Sequence, residues 1–230
     1  MKIGLLIAVD RELEAFLKSG EERTEETVAN RTIYKTRMEG HEIFAIRSGC
    51  GQIDAAAATM LLIVHCGCEL ILNFGVTGAL DADLKVEDLF VVEKVCHYDF
   101  DVTAFEAVKP GQYEEYADEF IPLDAELAQL AAERIPGIRK VADASGDKFV
   151  EDRAEKLRLR NMGCGIVDME VGAIARVCER CKICCVSVKC ISDTFDGDGR
   201  DFNVNINRSA EKAYVVLRKM LRAAAEGLFD

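Results

Sequence analysis

The chain has 230 residues, half of them apolar, which is enough for one sizeable core, and its three prolines leave no Pro-rich linker to divide it. A net charge of −12 with no basic cluster excludes the electrostatic footprint of a nucleic-acid or anionic-membrane partner, leaving small-molecule chemistry or protein–protein contact. There is no apolar run long enough to suggest a membrane span, and the start, MKIGLLIAVDRELEAF, lacks a signal peptide's length and cleavage site, so a cytoplasmic protein with ten reduced cysteines is expected.

Lys2–Ala8 is an apolar run followed by a helical pattern over Asp10–Lys18, the signature of a buried strand feeding a helix. Glu12 falls in the first turn of that helix, either as an acid favoured by the helix dipole or as a carboxylate set at the strand's C-terminal edge. Arg31–Arg37 and Glu42–Ser48 read as strands joined by a hairpin at Glu39-Gly40-His41. Ser48-Gly49-Cys50-Gly51 then opens an Ala-rich helix over Gln52–Cys66, with His65 near its end as a capping or dipole residue. Leu70–Phe74 is a buried strand, and Gly75–Leu80 is expected to be a glycine-bearing loop after it. Leu89–Val95 precedes an acidic, turn-rich segment over His97–Phe105 and a long irregular stretch over Glu106–Pro122, of the kind found at functional sites and interfaces. Asp124–Arg134 is a helix, Ile138–Ala144 a strand, Ser145–Val150 a loop and Glu151–Arg160 a helix.

Ile166–Asp193 organises the rest. Asp168, Met169 and Glu170 open an amphipathic helical run, and a β-leaning run over Ile183–Ile191 ends in Ser192-Asp193. Cys178, Cys181 and Cys184 have a spacing that can hold an iron–sulfur cluster, but they continue the helix's apolar stripe and the following strand, so buried structural cysteines are expected. A long amphipathic helix over Asn207–Glu226 closes the chain.

Strands alternate with helices, and the hairpin demands an antiparallel pair. A single domain over 1–230 is expected, with a mixed, twisted central sheet and helices on both faces. Glycines, carboxylates and hydroxyls gather at strand ends, which in such a sheet can converge on one pocket. There is no GxxxxGK[ST] phosphate loop, no metal-spaced His pair and no nucleophile elbow. Three carboxylates could converge, Glu12, Glu170 and Asp193, which points to acid/base work on a polyhydroxy substrate with no metal or cofactor.

The segments MKIGLLIAVDRELEAF, SGCGQIDAAAA, ILNFGVTGAL, HYDFDVTAF, SGDKF, VDMEVGAIA and CISD, in this order, resemble successive motifs of the 5'-methylthioadenosine/S-adenosylhomocysteine nucleosidases, within the wider nucleoside phosphorylase family. The resemblance runs through nearly the whole chain. It implies a three-layer α/β/α nucleoside phosphorylase-like fold, a homodimer, a place in methionine salvage, and hydrolysis that releases adenine from a 5'-substituted adenosine: methylthioadenosine, S-adenosylhomocysteine or 5'-deoxyadenosine. By position, Glu12 matches the general base that activates water, and Asp193 the acid that protonates purine N7. Met169 and Glu170 match the pair at the ribose, Glu170 accepting from the 2'- and 3'-hydroxyls. Phe149 matches the ring stacked on the base and Val150 its edge contact. Val76, Thr77, Gly78 and Ser192 fall in the same motifs and match substrate-binding positions, and Phe105 matches a residue that reaches the partner subunit's 5' subsite.

Three places in the chain depart from the family's pattern. Val76 stands where a Ser usually helps orient the acid, so either Thr77 takes over or Asp193 sits in a drier site. Lys189 replaces the usual Arg four residues before the acid and lacks its planar fork. Tyr113-Glu114-Glu115-Tyr116 replaces a proline-shaped loop at the 5' subsite. The alternatives are a phosphorylase of the same fold and a nucleoside-binding protein without catalysis. A phosphorylase needs cationic or backbone donors for phosphate; here the first loop is acidic, Asn73 stands where many phosphorylases carry Arg, and Arg47 is the cation to watch.

Overall fold

The computed structural model describes residues 1–225. β1 (Lys2–Ile7) lies in the middle of a ten-stranded sheet. Its apolar run does not alternate because both faces are covered: Ile3, Leu5 and Ile7 enter one core layer and Leu6 the other. β1 pairs in parallel with β4 (His41–Arg47) on one side and β5 (Leu70–Ala79) on the other. Beyond β4 the sheet continues antiparallel through β3 (Arg31–Met38) to an edge strand, β2 (Arg23–Val28). The two hairpins turn on Ala29-Asn30 and Glu39-Gly40, all four residues with positive φ, the requirement of a tight two-residue hairpin loop.

On the other side of β5 the sheet closes on itself. β10 (Cys184–Asp193) runs parallel to β5 and antiparallel to β6 (Leu89–His97). β6 pairs with β7 (Ile121–Pro122) and β8 (Ile138–Ser145), β8 with β9 (Ile166–Asp168), and β9 returns antiparallel to the end of β5. The C-terminal ends of β1, β5 and β10 therefore lie side by side, next to the ends of β8 and β9.

Helices cover both faces. α1 (Asp10–Leu17), α3 (Ala125–Arg134) and α6 (Gly199–Ala225) contribute Phe16, Ala128, Tyr214 and Leu217 to the layer that holds Ile3 and Leu5. α2 (Gln52–Met60) and α5 (Val171–Cys181) contribute Ala55, Ala58, Ile174 and Cys178 to the layer that holds Leu6. α4 (Arg153–Asn161) places Leu159 in a smaller cluster with Ala144 and Val167. The expected three-layer fold with a mixed sheet is what forms.

Several local expectations are corrected. Gly75–Leu80 is not a loop: β5 runs on to Ala79. β2 was not expected, because RTEETV is a polar edge strand with no apolar face to advertise it. The closing helix starts at Gly199, not Asn207, and Glu226, its expected end, lies outside the described residues. The helix from Gln52 turns π-type over Leu61–His65, where His65 pairs with Glu26 of β2 at 3.0 Å. Cys178 is buried as expected, but Cys181 is half-buried and Cys184 exposed at the start of β10.

Candidate active site

A cavity of about 330 Å³ opens at the C-terminal ends of β1, β5, β9 and β10. Ten of the eleven residues expected at a site line it: Glu12, Val76, Thr77, Gly78, Phe149, Val150, Met169, Glu170, Ser192 and Asp193. Phe105 does not; it is 76% exposed on the segment after β6.

Glu12 is the third residue of α1, and its carboxylate turns back over the helix start. Oε2 accepts from the main-chain N–H of Ala8 at 3.1 Å and Val9 at 3.2 Å, and Oε1 from Val76 at 2.8 Å. Burial pushes its pKa up, while Lys189 and these N–H groups pull against the rise. A Cβ on Gly75 would lie 2.5 Å from Oε1, so the glycine in β5 is there to admit the carboxylate.

Asp193 ends β10, next to a register shift after Ile191 that re-aims the strand. Its Oδ1 accepts from Ser192 Oγ at 2.8 Å. A Cβ on Gly78 would meet Oδ2 at 2.8 Å and Val167 at 3.1 Å, so the second glycine of β5 makes room for the second carboxylate. Burial raises the Asp193 pKa, opposed by the Ser192 hydroxyl and the Lys156 charge. Thr77 does not take the place of the Ser that Val76 replaces: its Oγ1 donates to Val167 O at 2.8 Å. Of the two outcomes expected for that departure, Thr77 taking over is not what forms; Asp193 is 2% exposed and its hydroxyl donor is Ser192.

Glu170 precedes α5 and its Oε1 accepts from Gly51 N at 2.9 Å, which gives the Gly49-Cys50-Gly51 turn its purpose. Burial and then Asp168 raise its pKa, against Lys189 and Gly51. Phe149 stands at the rim, edge-on to Phe202 of α6 with ring centroids 5.5 Å apart.

Beneath these groups lies a buried charge cluster that sequence reading did not assemble. Lys189 Nζ meets Asp168 Oδ2 at 2.7 Å, both side chains almost without exposure. Burial opposes the lysine's charge, but Asp168, Glu170, Asp143 and Glu12 outweigh it and raise its pKa. Asp143, in β8, is fully buried, and burial and then Asp168 push its pKa well above the usual carboxylate range. Lys189 is thus the shared counter-ion of the site. Gln52 is a second unforeseen residue. It donates from Nε2 to Ser145 Oγ at 2.9 Å and Met169 O at 2.8 Å, and accepts at Oε1 from Ala173 N at 2.6 Å, which locks the turn carrying Glu170. A buried Gln after a glycine turn was the one available signal. Ala8, Val9, Cys50, Lys148, Val167, Asp168 and Phe202 complete the lining.

The phosphorylase candidates are elsewhere. Asn73 is buried inside the sheet, donating to Leu6 O at 3.1 Å and accepting from Ser187 Oγ at 2.7 Å. Arg47 pairs with Asp10 at 3.0 Å and does not line the cavity. The N–H groups of Ala8, Val9 and Val76, a ready anion seat, are already taken by the Glu12 carboxylate.

The family model of the phosphorylase superfamily matches residues 2–222. The 5'-methylthioadenosine/S-adenosylhomocysteine nucleosidase of Buchnera aphidicola subsp. Acyrthosiphon pisum (strain Tuc7) is 32% identical over 241 residues, spanning 100% of both chains. Among solved structures, native futalosine hydrolase of Helicobacter pylori strain 26695 is similar with a TM-score of 0.90 and 27% identity, covering 96% of this chain and 97% of that one. A Helicobacter pylori methylthioadenosine nucleosidase mutant with 5'-methylthioadenosine in its active site has a TM-score of 0.89 and 28% identity, with coverages of 96% and 97%.

Proposed function

The chain belongs to the phosphorylase superfamily, and from that premise we propose that its cavity hydrolyses the N-glycosidic bond of a 5'-substituted adenosine and releases adenine. The enzyme is an N-glycosyl hydrolase of the nucleosidase type, as its full-length relatives are. One observation carries the reading of the site. Buried carboxylates face one cavity, and one of them, Glu12, takes three backbone N–H groups that could otherwise bind an anion.

Adenine anion is a poor leaving group, so protonation of purine N7 lowers the barrier. Asp193, raised by burial, supplies that proton. As the glycosidic bond breaks, its electron pair goes to the base and C1' becomes oxocarbenium-like. Glu12 takes a proton from the water that attacks C1'; burial raises its pKa and with it its basicity, while its three N–H donors and Lys189 favour the carboxylate form. Glu170 accepts from the ribose 2'- and 3'-hydroxyls, and Met169 packs against the sugar. Phe149 stacks on the base, Val150 contacts its edge, and Val76, Thr77, Gly78 and Ser192 wall the base pocket. None of these steps draws on a metal or cofactor.

The exposed ring of Phe105 fits a homodimer in which it completes the partner's 5' subsite. The setting is cytoplasmic methionine salvage; no described helix is long and apolar enough to cross a membrane. A screen for base release, with and without phosphate, tests the reading. It should include methylthioadenosine, S-adenosylhomocysteine, 5'-deoxyadenosine, adenosine, inosine and, because a hydrolase of that substrate is a structural neighbour, futalosine. Release of adenine from the 5'-substituted adenosines at a rate indifferent to phosphate is expected. Binding without release would leave a nucleoside-binding protein.

A further inference from the structure

Lys156 of α4 has no exposed surface, and all three of its hydrogen-bond partners are main-chain carbonyls rather than carboxylates. Nζ donates to Thr194 O at 3.0 Å, Phe195 O at 3.1 Å and Gly197 O at 3.1 Å. These oxygens belong to the loop that leaves Asp193 for α6. A buried ammonium is costly to desolvate, and neutral carbonyls return only part of that cost. The acids around it are Asp193, Asp196, Glu151 and Asp201. Asp196 is paired with Arg153, and Glu151 accepts from Gly199 N at 2.7 Å. Glu151, Asp196 and Asp201 are exposed, whereas Asp193 is 2% exposed. Of the four, Asp193 is the one whose charge water cannot screen.

We propose that Lys156 is a positioning residue for the acid: its ammonium ties the loop over 194–197 in place behind Asp193 and supplies the fixed positive charge that Asp193 requires once its proton has passed to the base. The proposal rests on the reading of Asp193 given above. When the proton moves to N7 and the glycosidic bond breaks, Asp193 is left as a buried carboxylate. Burial pulls the Lys156 pKa below the usual lysine range, opposed first by Asp193, and the ammonium takes no part in the proton transfer itself. Its field acts on the carboxylate and not on the neutral acid, so it favours the transferred state over the starting one. Burial and the acids Asp201 and Glu151 push the Asp193 pKa up, while Ser192 and Lys156 hold it down.

The test is kcat for adenine release from methylthioadenosine as a function of pH, in wild type, Lys156→Met, Lys156→Gln and Lys156→Arg. Gln keeps a donor for the loop carbonyls and guards against a folding failure of Met; Arg keeps the charge. Without the charge Asp193 becomes a weaker acid. The alkaline limb of the profile is expected to move up by about one pH unit or more in both Met and Gln. The plateau kcat should fall by roughly threefold to tenfold, the Brønsted response, with KM nearly unchanged. Arg should restore the limb. A limb that stays in place in the folded Gln or Met variant, or that moves equally in Arg, overturns the proposal. A wild type whose activity survives Asp193→Asn overturns the reading of Asp193 instead, so the two failures are distinguishable.

Discussion

Glu12 and Asp193 face the same cavity, both almost fully buried, yet their surroundings treat them differently. Burial raises the pKa of both, but Glu12 has the Lys189 charge and three main-chain N–H donors, all of which favour the ionised form. Asp193 has one hydroxyl donor, from Ser192, and a lysine engaged with loop carbonyls. Backbone donors fixed by helix and strand cannot turn away, whereas a hydroxyl can also accept. The first seat suits a base and the second an acid that must be protonated before it acts. In the proposed mechanism the two carboxylates divide the work because of what the backbone offers each, and the glycines Gly75 and Gly78 give each one its space.

The largest break in this comparison is Asp193→Asn, which removes the acid without removing volume. kcat for adenine release should fall by at least ~10²–10⁴-fold; near-normal turnover would place the acid elsewhere. Gly75→Ala comes next, because its methyl intrudes on Glu12 and not on Asp193. It should lower kcat by more than about tenfold while leaving the alkaline limb where it was, since a misplaced base of even 1 Å is costly. Lys189→Met removes the shared counter-ion from four buried acids. An unfolding titration should show a loss of about 3–5 kcal/mol, and a smaller loss would mean that the acids around it are already neutral.

The mildest test concerns pH and stability at Asp143. Its folded-state pKa is raised, so above about pH 4 the unfolded chain gives up this proton more readily than the native state does. Stability from this group is present below that pH and is lost as pH rises toward the folded-state value. Asp143→Asn carries no such liability. Its melting temperature relative to wild type should therefore rise between pH 5 and pH 8, and a constant difference would show that Asp143 does not hold a proton.

Much of this was legible in the sequence, for physical reasons. β1 announced itself because a strand covered on both faces is apolar throughout, and α5 because its apolar stripe has helical spacing. The carboxylates stood out because strand ends are where polar groups reach a pocket. The glycines of β5 misled because Gly is read as a loop signal, whereas here it clears space inside a strand. The start of α6 was hidden for the same reason, since Gly199 and Asp201 resemble the loop before them. Lys189 read as a weak substitute for Arg, yet it is the counter-ion of the site. Asp143 and Lys156 carried no site signal and Gln52 only its place after a glycine turn, because what makes them matter is burial and partners 25 to more than 100 residues away. Asp143 and Asp168 are brought together by pairing of β8 with β9, and Lys156 reaches a loop 38 residues on.

The seat of Glu12 carries the central claim, that water and not phosphate attacks C1'. Adenine release from methylthioadenosine in ¹⁸O-labelled water with phosphate present tests it most directly. The account predicts one solvent oxygen on C1 of the released sugar, at a rate that phosphate does not change. A sugar 1-phosphate carrying no solvent oxygen at C1 would contradict it.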